Sequence, residues 1–311
     1  MKSLRIVFMG TPEFAVASLD ALVNSEHQVV GVVTVADKPA GRGQQLSTSA
    51  VKDYAVRHHL RLMQPIKLKD DSFVEELRSL NADLFVVVAF RMLPELVWTM
   101  PALGTINLHG SLLPKYRGAA PINWAVINGE IETGVTTFFL RHEIDTGSVI
   151  QQTAIPIYEE DNAGAVHDRM MIIGAQTLKE TVDLIAQGNA TPISQEDLIA
   201  SGAQVLHAPK IFKEDCKIDW SLPVEQIHNK VRGLSPYPAA WTVLGEKTAK
   251  IFSGKKIIQK HNHELGSMHS DGKKFLNMAC VDGYYSITEL QYEGKKRMCI
   301  EEFLRGWRLP V

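Results

Sequence analysis

Two stretches of the chain hold side chains that could do chemistry together. One is NLHGSLLPKYRGAAP, Asn107 to Pro121, and the other is HEIDTG, His142 to Gly147. Asn107 and His109 are two residues apart, so on a strand both leave the same face. An Asn amide can donate to a developing oxyanion, and an imidazole can give or take a proton near neutral pH. Asp145, in an Asp-Thr-Gly turn, offers the carboxylate that would orient such an imidazole. No Ser or Cys sits in a Gly-x-Ser-x-Gly setting. Asn, His and Asp without a protein nucleophile suit direct transfer of an acyl group to an incoming amine. The amine attacks, and the protein handles the oxyanion and the protons. On residue types alone, a capping Asn, a surface His and a turn Asp remain an equal alternative.

Other motifs narrow the chemistry. Gly10-Thr11-Pro12-Glu13 follows the first apolar run, where a dinucleotide-binding protein carries Gly-x-Gly-x-x-Gly. One glycine followed by a proline cannot bring three backbone positions to a pyrophosphate, which disfavours nicotinamide and flavin. No Gly-x-x-x-x-Gly-Lys-Ser/Thr loop is present. The stretch DKPAGRGQQL, Asp37 to Leu46, places Lys38 and Arg42 on a Gly/Pro-rich loop. Such a loop suits nucleic acid phosphate, or is simply a surface loop. His261, His263 and His269 lie among lysines without metal-ligand spacing, and Cys216, Cys280 and Cys299 form no Cys-x-x-Cys pair. No metal site and no disulfide framework are expected. Tyr237 and Trp241 of SPYPAAW are expected to pack a small domain rather than stack on bases.

These residues need a scaffold. Apolar β-branched runs at LRIVFM, VVGVVTV (Val29–Val35) and LFVVVAF (Leu84–Phe90) read as strands, and Phe14 to Val23 and Ser72 to Leu80 have helical spacing. GTINL (Gly104–Leu108) is a short strand that ends at the Asn-x-His pair, and Ala120 to Asn128 reads as helix. Thr133–Leu140 and Gly147–Ile157 are later strands around the Asp-Thr-Gly turn, and a long helix covers about 163–186. Alternating strands and helices predict an α/β domain with a doubly wound, mostly parallel, Rossmann-like sheet, whose ligands bind beyond the strands' carboxyl ends. After Gln187 the chain turns polar. From about Phe212, a helix at Val224–Gly233 precedes short segments separated by LGEK, SGKK, SDGKK and YEGKK, which predicts a small OB-type β-barrel.

The length of 311 residues suits two domains. The expected division is 1–187, catalytic; 188–206, linker; and 207–311, the small β domain. No apolar run approaches the roughly 20 residues of a membrane helix, and MKSLRIVFMG is no signal peptide, so a cytoplasmic protein is expected. From His207 on there are 17 Lys/Arg against 12 Asp/Glu, or +5, which leaves −7 for the preceding part of a chain of net charge −2. A basic second part beside an acidic first part suits a polyanionic partner, or merely soluble hairpin tips.

In order along the chain, GTPEFA, DKPAGRG, NLHGSLLPKYRGAAPINWA, IDTG and APKIFKEDCKIDWSLPVEQIHNKVRGLSPYPAAW resemble the methionyl-tRNA formyltransferase family. The resemblance spans nearly the whole chain. It implies the formyltransferase fold and transfer of a formyl group from the cosubstrate 10-formyltetrahydrofolate to the amino group of initiator methionyl-tRNA. It makes Asn107, His109 and Asp145 catalytic. It puts Ser111, Leu112, Leu113 and Pro114 in the folate site, with Ala89, Phe90 and Ile144 bordering the pterin. It gives Lys38 and Arg42 of the basic loop, and Lys210, Lys255 and Lys256 of the second domain, to tRNA. No metal or nicotinamide is implied, and the chain is expected to act as a monomer. Two segments depart from the family pattern: Ala-Tyr-Gly becomes Ala89-Phe90-Arg91, and a Gly-rich run becomes Arg141-His142-Glu143-Ile144. The alternatives are a folate-dependent formyltransferase acting on an amino sugar or a glycinamide nucleotide, and a non-catalytic RNA-binding protein.

Overall fold

The computed structural model describes residues 3–40 and 45–307. Two compact units make up the chain: Met1–Gly118 with Gly134–Ile155 and His167–His207, and Ala119–Thr133 with Pro156–Val166 and Ala208–Val311. Among the described residues no helix is long and apolar enough to cross a membrane.

The elements of the first two-thirds run β1 (Arg5–Gly10), α1 (Glu13–Val23), β2 (Gln28–Val33), β3 (Lys38–Ala40), β4 (Gln45–Ser47), α2 (Ala50–Arg57), β5 (Leu62–Met63) and α3 (Asp71–Ser79). They continue with β6 (Leu84–Val88), α4 (Glu95–Trp98), β7 (Thr105–His109), β8 (Arg117–Gly118), α5 (Pro121–Ile127), β9 (Glu132–Phe139), β10 (Val149–Pro156), α6 (Ala163–Gln187), α7 (Gln195–Ala200) and β11 (His207–Ala208).

Seven strands form one sheet in the order β10-β9-β7-β6-β1-β2-β5. Its β5, β2, β1, β6 and β7 are mutually parallel, and β7 pairs antiparallel with β9. Ile6 to Met9 and the β6 run are buried, as strands covered on both faces must be, and this is why both read as unbroken apolar runs. The chain winds outward from β1 through β2 to β5, then returns to β6 and β7, so the order reverses between β1 and β6. At such a switch point the loops beyond the strand ends part and leave a crevice. Gly10 closes β1 for a packing reason: a Cβ there would lie 2.8 Å from the Ala15 Cβ and 2.8 Å from the Phe8 ring. This glycine lets α1 sit close on the sheet.

The second unit holds α8 (Val224–Leu234), β12 (Ala240–Leu244), β13 (Lys247–Ile258), β14 (Met268–Ser270), β15 (Leu276–Cys280), β16 (Gly283–Tyr292), β17 (Arg297–Cys299) and α9 (Ile300–Arg305). Its strands pair antiparallel in the order β12-β13-β16-β15-β14, with β17 also on β16. The twelve-residue β13 pairs with both β12 and β16 and shifts register between Ile251 and Gly254, an irregularity of the kind that bends a strand and curls its sheet. A Cβ on Gly254 would lie 2.5 Å from the Tyr285 ring, which is fully buried. Val224, Ile227, Val231 and Leu234 of α8 fill this core with Ile251, Leu276, Ile287 and Leu290. The unit is not contiguous in sequence. The Nδ2 of Asn123 on α5 donates to Gly233 O at 2.8 Å, and Arg232 donates to Asp161 O at 3.1 Å.

Candidate active site

The Asn-x-His pair closes β7. Asn107 lies opposite Val87 of β6 and Phe138 of β9, and His109 opposite Thr136. Strand alternation sends both side chains to one face. Asn107 is half-buried and His109 is 6% exposed. The His109 ring stands edge-on to Phe138, with centroids 6.5 Å apart. Its Nε2 lies 2.8 Å from the backbone oxygen of Tyr116. A carbonyl only accepts, so Nε2 carries a proton here, and Nδ1 is the nitrogen left to face other groups. Tyr116 aims that carbonyl from left-handed backbone at φ +61.

Asp145 meets Nδ1 from the β9–β10 connection, with Oδ2 at 3.7 Å. That is ion-pair range but longer than a hydrogen bond, so Nδ1 and Asp145 face each other without a direct hydrogen bond. The same Oδ2 accepts the Gly118 N–H at 2.9 Å. Asp145 itself is left-handed, at φ +55, which is uncommon outside glycine. The turn is tight: a Cβ on Gly147 would lie 1.6 Å from the Phe139 carbonyl oxygen. The structure therefore brings together His109 and Asp145, residues 36 apart whose pairing no sequence spacing announces.

Around this centre, Ser111, Leu113 and Pro114 are buried and Leu112 is half-buried. Thr136 Oγ1 donates to Ser111 O at 2.6 Å and accepts from Leu113 N at 3.0 Å, and Gln152 donates to Leu113 O at 2.9 Å. The stretch is thus a fixed wall whose half-open member is Leu112. Ala89 follows β6 at φ +47, exposed at the switch-point rim, with half-buried Phe90 beside it. The Arg91 guanidinium lies 5.6 Å over the Phe90 ring and donates to Ile66 O at 2.8 Å and to Pro65 O. Burial lowers its pKa. Ile144 is 60% exposed. This mixture of apolar side chains and backbone at the strand ends fits a flat heteroaromatic ring with a polar edge.

Of the basic residues, Lys38 is exposed, and Arg42 lies outside the described residues. The loop is anchored next to Lys38. Asp37 accepts from Lys52 and from Gln64 Nε2 at 2.9 Å, and these bonds, Lys52 first, hold its carboxyl below the usual range. Lys210 is exposed, with its ammonium 5.5 Å over the Phe212 ring, and Lys255 is exposed. Lys256 is different: it donates to Glu225 at 2.8 Å and Glu159 at 3.2 Å, and these carboxylates raise its pKa. Trp241 packs against the second core as expected, with Nε1 donating to Lys213 O at 2.8 Å. Tyr237 does not: it is 81% exposed. His261 bonds the Cys280 and Gly283 carbonyls, and among the described residues no group of three or more His, Cys, Asp or Glu is arranged to hold a metal ion.

Sequence reading missed Gln195. It starts α7, in the polar stretch after α6, and is fully buried with its amide against Asp145 and Gly147. A lone Gln among turn residues has no spacing signal. Tyr116, Arg117 and Gly118 stand in the quoted motif, but only the fold reveals what they touch.

Comparison with known proteins gives this geometry a context. Residues 4–182 match the formyl transferase family and residues 210–308 the formyl transferase C-terminal domain. The chain is 56% identical to the methionyl-tRNA formyltransferase of Bacteroides thetaiotaomicron, covering 99% of this chain and 97% of that one. It is 52% identical to that of Flavobacterium johnsoniae, with 98% and 97% covered. Among solved structures, an N-formyltransferase from Helicobacter canadensis in complex with folinic acid and dTDP-3-aminofucose superposes with a TM-score of 0.66 at 19% identity, over 95% of this chain and all of that one. A sugar 3N-formyl transferase, WlaRD, gives 0.65 at 20%, with the same coverage. At that identity the likeness is one of fold.

Proposed function

This chain belongs to the formyl transferase family, among the methionyl-tRNA formyltransferases, and from that premise we propose that Asn107, His109 and Asp145 carry its reaction. The protein is a formyltransferase that modifies methionyl-tRNA with a formyl group from a folate. In the finer reading the donor is 10-formyltetrahydrofolate, the acceptor is the α-amine of initiator methionyl-tRNA, and the reaction takes place in the cytoplasm, where translation starts. The chain acts as a monomer.

The reaction needs an unprotonated amine at the formyl carbon, donors for the oxygen that becomes negative, and a base for the proton the amine sheds. Asn107 supplies an N–H from the end of β7. His109 supplies a second donor from Nδ1 when protonated, because Nε2 is held by Tyr116. Asp145 holds the imidazolium and takes the amine's proton, directly or through water, from its place 3.7 Å away. The leaving nitrogen of the folate departs protonated. The observation that supports this most is the geometry at His109, whose Nε2 is held by Tyr116 while Nδ1 faces the Asp145 carboxylate at ion-pair distance without a direct hydrogen bond.

Leu112, with the wall Ser111, Leu113 and Pro114 behind it, and the segments at Ala89–Phe90 and Ile144 would hold the pterin. Lys38, Arg42, Lys210 and Lys255 would meet tRNA phosphates, the last two from the 207–311 domain. Lys256 contributes less, because Glu225 and Glu159 already neutralise it. The test is direct: purified protein, 10-formyltetrahydrofolate and methionyl-initiator tRNA should yield formylmethionyl-tRNA. A charged initiator tRNA whose first acceptor position is paired should be a poorer substrate. Absence of product, or turnover of an amino sugar instead, overturns the reading.

A further inference from the structure

The buried amide of Gln195 uses every polar atom it has. Nε2 donates to Asp145 O at 2.9 Å and to Gly147 O at 2.9 Å, on either side of Thr146. Oε1 accepts from Arg117 Nε at 3.0 Å and Nη2 at 2.6 Å. Carbonyls only accept and a guanidinium only donates, so this amide has one satisfied orientation. Arg117 in turn precedes Gly118, whose N–H holds the Asp145 carboxylate at 2.9 Å. Asp145 is thus gripped twice, at its backbone by Gln195 and at its side chain by the residue next to Arg117. Its left-handed φ of +55 needs such a grip, since unsupported backbone would relax out of that region.

We propose that Gln195, oriented by Arg117, is a positioning residue for Asp145, fixing the turn that aims its carboxylate at His109 Nδ1. The inference rests on the role given to Asp145 above. It assigns α7 and the stretch around it to the active site although Gln195 is fully buried. Buried, fully satisfied polar networks hold a site in one geometry, and losing one member leaves the others unpaired.

Gln195→Glu keeps the size and the pairing with Arg117 but turns one oxygen, in place of Nε2, toward the Asp145 and Gly147 carbonyls. It should lower kcat about 10–100-fold, the range seen when a supporting hydrogen bond behind a functional ligand is removed, while KM for folate and tRNA changes far less. In an Asp145→Asn background the same change should cost little more, because the residue it serves is already disabled. If Gln195→Glu does not fold, Arg117→Lys, which keeps the charge but loses the two-pronged donor, is put through the same cycle. Costs that multiply fully between Gln195 and Asp145, or a Gln195→Glu enzyme with normal kcat, overturn the inference. A fully active Asp145→Asn enzyme instead sinks the role given to Asp145, so the two failures are distinguishable.

Discussion

At the scale of single residues, the site is set by which atoms are already committed. His109 Nε2 is spent on Tyr116, so the role proposed for His109 falls to Nδ1, and Asp145 is shared between Gly118 and that nitrogen. In the proposed mechanism Asn107 brings the second donor. Asn107→Ala should lower kcat ~10²–10³-fold, the usual cost of one oxyanion donor, with little change in tRNA affinity. Single-turnover formylation and filter binding on the same preparation separate the two, and a variant turning over normally rules Asn107 out as that donor.

Among the elements, the β9–β10 turn is the most demanding. Gly147 has no room for even a methyl group, since the Phe139 carbonyl oxygen would lie 1.6 Å away. Gly147→Ala should cost about 1–3 kcal/mol or more, because the strand pair or the turn must move, and should cut activity as Asp145 shifts. Gly188, where an added methyl would meet nothing within 4 Å, is the control: its φ of +73 makes Gly188→Ala cost about 1–2 kcal/mol, with activity kept. Urea midpoints and initial rates on the two variants check this; equal losses of activity would contradict it. The elements that position Asn107 and His109 were legible because they are local. β1, β6 and β7 are apolar runs, and the pair stands at a strand end. Illegible were the contacts made at distance: Arg117 with Gln195, 78 residues on, and Lys256 with Glu159, 97 residues back. Each depends on the folded path, and neither Gln195 nor Glu159 sits in a pattern. Tyr237 was misjudged because an aromatic among prolines reads alike whether it faces core or solvent.

Two whole-molecule properties follow from where charge is buried and where it is free. His228 of α8 packs 6.1 Å from Tyr285, and its Nδ1 has no partner among the described residues. Burial first, then Lys256 and Arg232, lower its pKa below 6.5, outweighing Glu225 and Glu160. The unfolded chain therefore binds a proton that the folded one refuses between its lowered value and 6.5. Stability from this residue is intact above 6.5 and is lost as pH falls through that window. His228→Phe should flatten that part of the thermal-midpoint curve between pH 7.5 and 5; an unchanged slope would contradict the burial argument. The second property is the +5 carried from His207 onward. Each cation that displaces counterions from tRNA contributes to the salt slope of binding, whereas one already paired with protein carboxylates contributes little. Lys210→Ala and Lys255→Ala should each weaken tRNA binding and reduce the slope of log K against log salt by about 1. Lys256→Ala should change the slope far less, because its ammonium is already paired with Glu225 and Glu159. Binding isotherms across a salt series decide the matter: three equal slope changes would mean that the pairing seen at Lys256 gives way to phosphate when tRNA arrives.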